Sequence, residues 1–133
     1  MFKAIQTSVS GLIASSVRFN AASSNIINAQ VKSTPKGSTS SSGAFNPAYN
    51  PQQVKQSTTA SGGVRANVVQ VSPSSLTLFD PTSPLANAQG NVDIPNISLP
   101  AEISELTRAS QSYKANATVL KNLDETFKTL LKI

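Results

Sequence analysis

The sequence has no cysteine, no histidine and no tryptophan among its 133 residues. Without cysteine it has no disulfide, no thiolate nucleophile and no cysteine metal site. Without histidine it also lacks the usual general base near neutral pH and the commonest metal ligand. Aromatics are scarce, with five Phe and two Tyr, and hydrophobic residues make up 38% of the chain, which is thin for an independent globular core. Acids are missing from the first 79 positions, where Lys3, Arg18, Lys32, Lys36, Lys55 and Arg65 stand alone; from Asp80 onward six acids face five bases. A front half of this sign suits nucleic acid or an acidic membrane surface. Against that, its bases stand singly, 4 to 19 residues apart, with no aromatic interleaving, the pattern of scattered solvated charge. No stretch reaches the ~18 apolar residues that span a bilayer. Gln6, Thr7, Ser8 and Ser10 interrupt any cleavable-leader core near the start. The expectation is a chain that does not span a membrane and, if exported, keeps its N-terminus.

What is present is concentrated at the two ends. Residues 101–133 follow Pro100 and contain neither Gly nor Pro. Ile103, Leu106, Ser110, Tyr113, Ala117, Leu120, Phe127 and Leu131 recur at three-four spacing, broken where Asp124 takes a seam position. Ala109, Val119, Leu123 and Leu130 widen the stripe. This spacing predicts one long amphipathic helix. Glu102 and Glu105 in its first turns and Lys128 and Lys132 near its end suit the helix dipole. At the other end, Phe2, Ile5, Val9, Leu12, Ser16, Phe19, Ser23 and Ile26 repeat the pattern. Gly11 interrupts this first helix at a cost of about 1 kcal/mol relative to Ala, and marks a close approach by a neighbour. Ser8, Ser15, Ser16, Ala21, Ala22, Ser23 and Ser24 form a thin row that argues the same way. Asn25 and Asn28 suit a helix end.

The expected fold is mainly α, with long N- and C-terminal helices paired as a coiled coil and a loop and small β-hairpin between them. Residues 1–30 and 101–133 would form one helical domain. Residues 31–61, rich in Ser, Thr, Pro and Gly, read as a flexible loop, with Phe45 and Tyr49 as interface anchors or as groups folding back on the small domain. Residues 62–100 read as a β-rich or irregular insert. Val64, Ala66 and Val68 alternate toward Val71, a Ser-Pro-Ser-Ser turn follows, and Leu76–Phe79 returns as the second arm of a hairpin. Residues 85–100 read as irregular. The sequence shows no phosphate loop, no metal-ligand spacing and no nucleophile elbow. An enzyme is not expected, and no catalytic, cofactor or metal residues are assigned.

Ser10-Gly11-Leu12, followed by Phe19-Asn20-Ala21-Ala22-Ser23-Ser24-Asn25-Ile26-Ile27-Asn28-Ala29, resembles the N-terminal signature of the bacterial flagellar rod, hook and related axial proteins. Ser110-Gln111-Ser112-Tyr113-Lys114-Ala115-Asn116 is similar to that family's C-terminal Ser-Arg-x-Tyr-x-Ala-Asn, with Gln111 in place of the Arg and Ile27 in place of a small residue. Asp80-Pro81, Pro84-Leu85-Ala86-Asn87-Ala88 and Pro95-Asn96-Ile97 resemble the middle of a proximal rod subunit. The resemblance implies a structural subunit of the basal-body proximal rod, a hollow torque-transmitting shaft in the periplasm. It implies export through the flagellar type III apparatus without a cleaved signal peptide. The partners implied are other copies of the chain and other rod proteins, with no nucleic acid and no membrane span. A basic nucleic-acid or membrane-surface module is the competing reading. The residues expected to pack the assembly are Leu12, Ile13, Phe19, Ile26, Leu106, Tyr113, Leu120, Leu123 and Phe127. Asn25, Asn28 and Asn116 are expected to hydrogen-bond between helices.

Overall fold

A computed structural model describes residues 2–44, 46–60 and 62–132. Phe45, one of the two candidate anchors, and Ile133 lie outside the described residues. Helix α1 spans Phe2–Asn28 and helix α2 spans Leu99–Leu131. At 1.5 Å per residue they are about 40 and 50 Å long. Helix α2 starts two residues earlier than expected because Pro100 sits inside its first turn, where a missing N–H costs no helical bond. Glu102 lies in that first turn and Lys128 in the last, each favoured by the dipole.

The two helices run antiparallel. Arg18 meets Glu105, and further along Gly11 meets Asn116. The side of α1 that is buried carries Ser8, Ala14, Ser15, Ala21, Ala22 and Asn25, and Ala109 is the buried residue of α2. The thin Ala/Ser row, expected from the sequence as a close-packing face, supplies most of the buried residues of α1, while of its large apolar row Ile5, Leu12 and Ile26 are half-buried and Phe2, Val9 and Phe19 exposed. Small side chains let the backbones come close, and a Cβ at Gly11 would sit 2.7 Å from Asn116 Nδ2 and 2.9 Å from its Cγ. Ser8, Ser15, Ala21 and Ala22 are therefore interior residues, while Ser16 is exposed. The Ser15 hydroxyl donates to the Gly11 carbonyl at 2.7 Å, so its burial leaves no orphan donor.

Four strands lie between the helices. Strand β1 (Gln52–Thr58) pairs antiparallel with β2 (Val64–Gln70), in register from Gln52↔Gln70 to Thr58↔Val64. Strand β3 (Ser75–Phe79) pairs antiparallel with β4 (Asn91–Pro95), from Ser75↔Pro95 to Phe79↔Asn91. The expected hairpin between β2 and β3 does not form, and each takes a partner on its other side in the sequence. Both partners were hidden by composition. β1 reads Gln-Gln-Val-Lys-Gln-Ser-Thr with one apolar residue, and β4 reads Asn-Val-Asp-Ile-Pro, rich in residues depleted from strands. The stretch expected as a loop thus carries β1, and the stretch expected as irregular carries β4.

The β1–β2 hairpin lies along α1. Its open end is held at Asn25 by Gln52, and its turn end at Ser10, whose hydroxyl oxygen accepts from Val64 N–H at 3.1 Å. Fifteen helical residues rise about 22 Å and a seven-residue strand about 23 Å, so the arm and the helix segment match in length. Gly63, at φ +114°, passes so close that a Cβ would lie 2.6 Å from Ser10 Oγ. The β3–β4 pair is held by a backbone bridge between Ser33 and Asp93 (2.8 and 2.9 Å) and by Lys32 Nζ to Asp80 Oδ2 at 2.6 Å. The buried Asp93 carboxylate accepts from Ser75 Oγ at 3.1 Å and Thr77 Oγ1 at 3.0 Å.

The close approach at Gly11 has a direct test. Gly11→Leu is expected to destabilise the chain by about 1–3 kcal/mol through overpacking. Asn116→Ala in the same chain should restore part of the loss. Urea midpoints that show the two changes to be simply additive would count against the contact.

Candidate assembly interface

At 100° per residue, Phe2, Val9, Ile13 and Ile27 fall within about 40° of one another on α1, opposite Gly11, Arg18, Ala22 and Asn25. They are exposed, Ile13 by 62% and Ile27 by 78%. On α2, Ile103, Leu106, Ser110, Tyr113 and Ala117 share an arc of about 80°, displaced from the arc of Ala109 and Asn116; Ile103 and Tyr113 are exposed. The two stripes adjoin. Between them runs a groove of about 300 Å³, lined by Ser15, Ser16 and Phe19 of α1 and by Ala109, Ser110, Tyr113 and Lys114 of α2. The hairpin occupies another side of α1, so these two stripes share one side of the helix pair, while Val119 and Leu130 are exposed elsewhere on α2.

Of the residues expected to pack the assembly, Ile13, Phe19 and Tyr113 lie exposed on this surface. Leu12, Ile26, Leu106, Leu120, Leu123 and Phe127 are half-buried. Leu120, Leu123 and Phe127 share the α2 face that carries Ala109 and Asn116, the side toward α1. The heptad row on α2 drifts by about 20° per seven residues, so its early members face outward and its late members face α1. The three asparagines divide. Asn28 Nδ2 donates to Ser24 O at 2.8 Å and Asn116 Nδ2 to Ser112 O at 2.9 Å, each within its own helix. Asn25 is fully buried and bonds to β1.

Sequence reasoning missed the ion pair between the helices. Arg18 Nε donates to Glu105 Oε1 at 2.5 Å. The signal available was the seven-residue row Gly11, Arg18, Asn25, three unusual residues on one helical face. Glu105 had been explained by the dipole alone. The Arg18 hydrogen bond holds the Glu105 carboxyl below the usual carboxylate range. One turn away, burial pushes the Glu102 carboxyl up, with the Asn25 amide partly offsetting this and the Glu105 charge adding to it. Burial, and then the Glu102 charge, holds the Tyr49 phenol above its ordinary value. Glu102, Glu105 and Arg18 border a second, polar groove of about 370 Å³ between β1 and α2, lined also by Gln52, Val54 and Arg108. Among the described residues no three His, Cys, Asp or Glu side chains are grouped to hold a metal, and no helix is long and apolar enough to cross a membrane.

The two long terminal helices thus carry exposed bulky apolar residues, Phe2, Val9, Ile13 and Ile27 on α1 and Ile103 and Tyr113 on α2. Residues 88–133 match the family described as flagellar basal body rod FlgEFG protein C-terminal. The chain is 33% identical over 120 residues to the flagellar basal-body rod protein FlgC of Escherichia coli O6:H1, covering 86% of this chain and 83% of that one. It is 34% identical over 120 residues to FlgC of Salmonella typhimurium, with the same coverage. It is 28% identical over 153 residues to FlgC of Borreliella burgdorferi, covering 100% of this chain and 97% of that one. These likenesses define the class as flagellar rod proteins. Within that class, the chain belongs to the FlgC family of flagellar basal-body rod proteins.

The two carboxylates should respond to pH with opposite signs. Glu105, lowered in the folded chain, stabilises above its unfolded value, and that stability is lost as pH falls through the folded one. Glu102, raised in the folded chain, stabilises below its unfolded value, and that stability is lost as pH rises through the folded one. Glu105→Gln is therefore expected to lower the urea midpoint at pH 7, by no more than about 1 kcal/mol after solvent screening, and to match the parent near pH 3. Glu102→Gln should equal or exceed the parent at pH 7, with the gap closing as pH falls. Midpoints in the reverse order would reject the assignment.

Proposed function

We infer that the chain is a structural subunit of the flagellar basal-body proximal rod, joined to its neighbours through the apolar side of its terminal helices. Family membership supports the rod role. The observation that carries the mode of assembly is the outward stripe of Phe2, Val9, Ile13 and Ile27 beside Ile103 and Tyr113. The accessible surface agrees. It is 8633 Å², whereas a globular monomer of 13.9 kDa exposes about 6,700 Å². A chain with this surplus, and bulky apolar groups within it, is stabilised by burying them against neighbours.

In this reading, helices of adjacent subunits complete the coiled-coil packing that α1 and α2 begin, with other copies and other rod proteins as neighbours. The work is mechanical, the transmission of torque through a hollow shaft, and it requires no catalytic group. Passage through the flagellar type III export apparatus to the periplasm, without a cleaved leader, is part of the same reading. The competing basic-module reading loses support from the ion pairs. Arg18 and Lys32, two of the six bases of the front half, are each paired with an acid of the back half, Glu105 and Asp80.

Two substitutions test the surface. Ile13 is exposed, so Ile13→Asp is expected to leave the chain folded, with an unchanged helical circular dichroism signal, but to abolish its recovery in purified basal bodies and swimming. Leu120 faces α1, so Leu120→Asp should cost stability as well, by a few kcal/mol for a partly buried charge. Normal incorporation of Ile13→Asp would refute assembly through this face.

A further inference from the structure

Asn25 does more than end a helix. The β1–β2 ladder includes Thr59 N–H to Gly63 O and Val71 N–H to Pro51 O. By antiparallel alternation, Gln53, Lys55 and Ser57 then bond to β2, while Gln52, Val54, Gln56 and Thr58 turn their N–H and C=O to the opposite edge. Gln52 is the first residue on that edge. Its N–H donates to Asn25 Oδ1 at 2.9 Å, and Asn25 Nδ2 donates to its C=O at 2.7 Å. The side-chain amide thus makes the two bonds that a neighbouring strand would make. Tyr49 O–H donates to the same Oδ1 at 3.0 Å and fills its second lone pair. Asn25 has 0% exposure and Pro51 is also buried, while Tyr49 and Gln52 are half-buried.

The remainder of the hairpin holds on weakly. Lys55, Gln56, Ser57 and Thr58 are exposed, as are Arg65, Asn67 and Val68. The half-buried side chains are mainly Val54, Val64, Ala66 and Val69. A lone two-stranded hairpin is marginal in water. Its position therefore depends on the polar contacts at its two ends, Asn25 and Ser10.

We propose that Asn25 is a latch: by standing in for a missing strand it holds the β1–β2 hairpin on α1, and its loss frees the hairpin while the α1–α2 pair stays folded. The same amide favours the charged form of Glu102 on α2, so the latch sits where α1, β1 and α2 meet. The hairpin can dock only once α1 is helical through residue 25, which orders the two events. This assignment does not depend on the assembly reading.

The test is amide hydrogen exchange on the full chain, comparing the parent with Asn25→Leu and with Gln52→Pro. Asn25→Leu takes the partner from both Gln52 backbone groups. Gln52→Pro removes only the N–H that Asn25 accepts, at a first strand position where proline is tolerated. Exchange at Gln53, Lys55 and Ser57 is expected to rise about tenfold or more in Asn25→Leu, and by a smaller factor in Gln52→Pro. Amides around Ala14 and Ala109 should stay within about twofold of the parent in Gln52→Pro. Unchanged hairpin exchange in Gln52→Pro would overturn the latch even if Asn25→Leu unfolds the chain. Helices and hairpin accelerating equally in both variants would overturn it as well.

Discussion

Helix α1 must approach two elements at once, α2 on one flank and the β1–β2 hairpin on the other, and only thin side chains permit both. Gly11, Ala14, Ser15, Ala21 and Ala22 supply that thinness. A side chain of Leu size on these faces would hold the backbones apart and pull Arg18 away from Glu105 and Ser10 away from Val64. Of the bulky apolar residues of α1, Phe2, Val9, Ile13 and Ile27 are left on the remaining side, exposed. On α1 the fully buried residues are thus small and the most exposed apolar ones large, while α2 turns the half-buried Leu120, Leu123 and Phe127 toward α1.

Small residues bury little area each, so this seam contributes little hydrophobic free energy per residue. Polar contacts take a correspondingly larger part in choosing the arrangement. Arg18–Glu105 fixes the helix register, Asn25 places β1, and Lys32–Asp80 with the Ser33–Asp93 bridge ties the chain after α1 to the β3–β4 pair. Two of these contacts join the acid-free front of the chain to the acids after residue 79. Part of the uneven charge of the sequence is thus paired within the chain, through Arg18 and Lys32.

The residue pattern made some of this legible and concealed the rest for physical reasons. Both long helices could be read from three-four spacing, and Gly11 was correctly taken as a close approach. The thin row of Ser and Ala was likewise legible as a close-packing face, but periodicity does not say which of the stripes on a helix meets a partner in the same chain. β2 and β3 were visible from Val and Leu content. β1 and β4 were not, since a strand of Gln, Lys and Ser, or one with Asn, Asp and Pro, owes its form to its ladder partner and not to propensity. Arg18–Glu105 spans 87 positions, beyond any local spacing rule.

By itself, the sequence determined the helices at each end, their apolar stripes, and the absence of cysteine and histidine. These depend on local periodicity and composition, which each segment carries alone. The tertiary structure decided which face of α1 turns inward, which strands pair, and what Asn25 holds. Those outcomes depend on distances between residues far apart in the chain, and on how closely two backbones can approach once every side chain between them has taken up its volume.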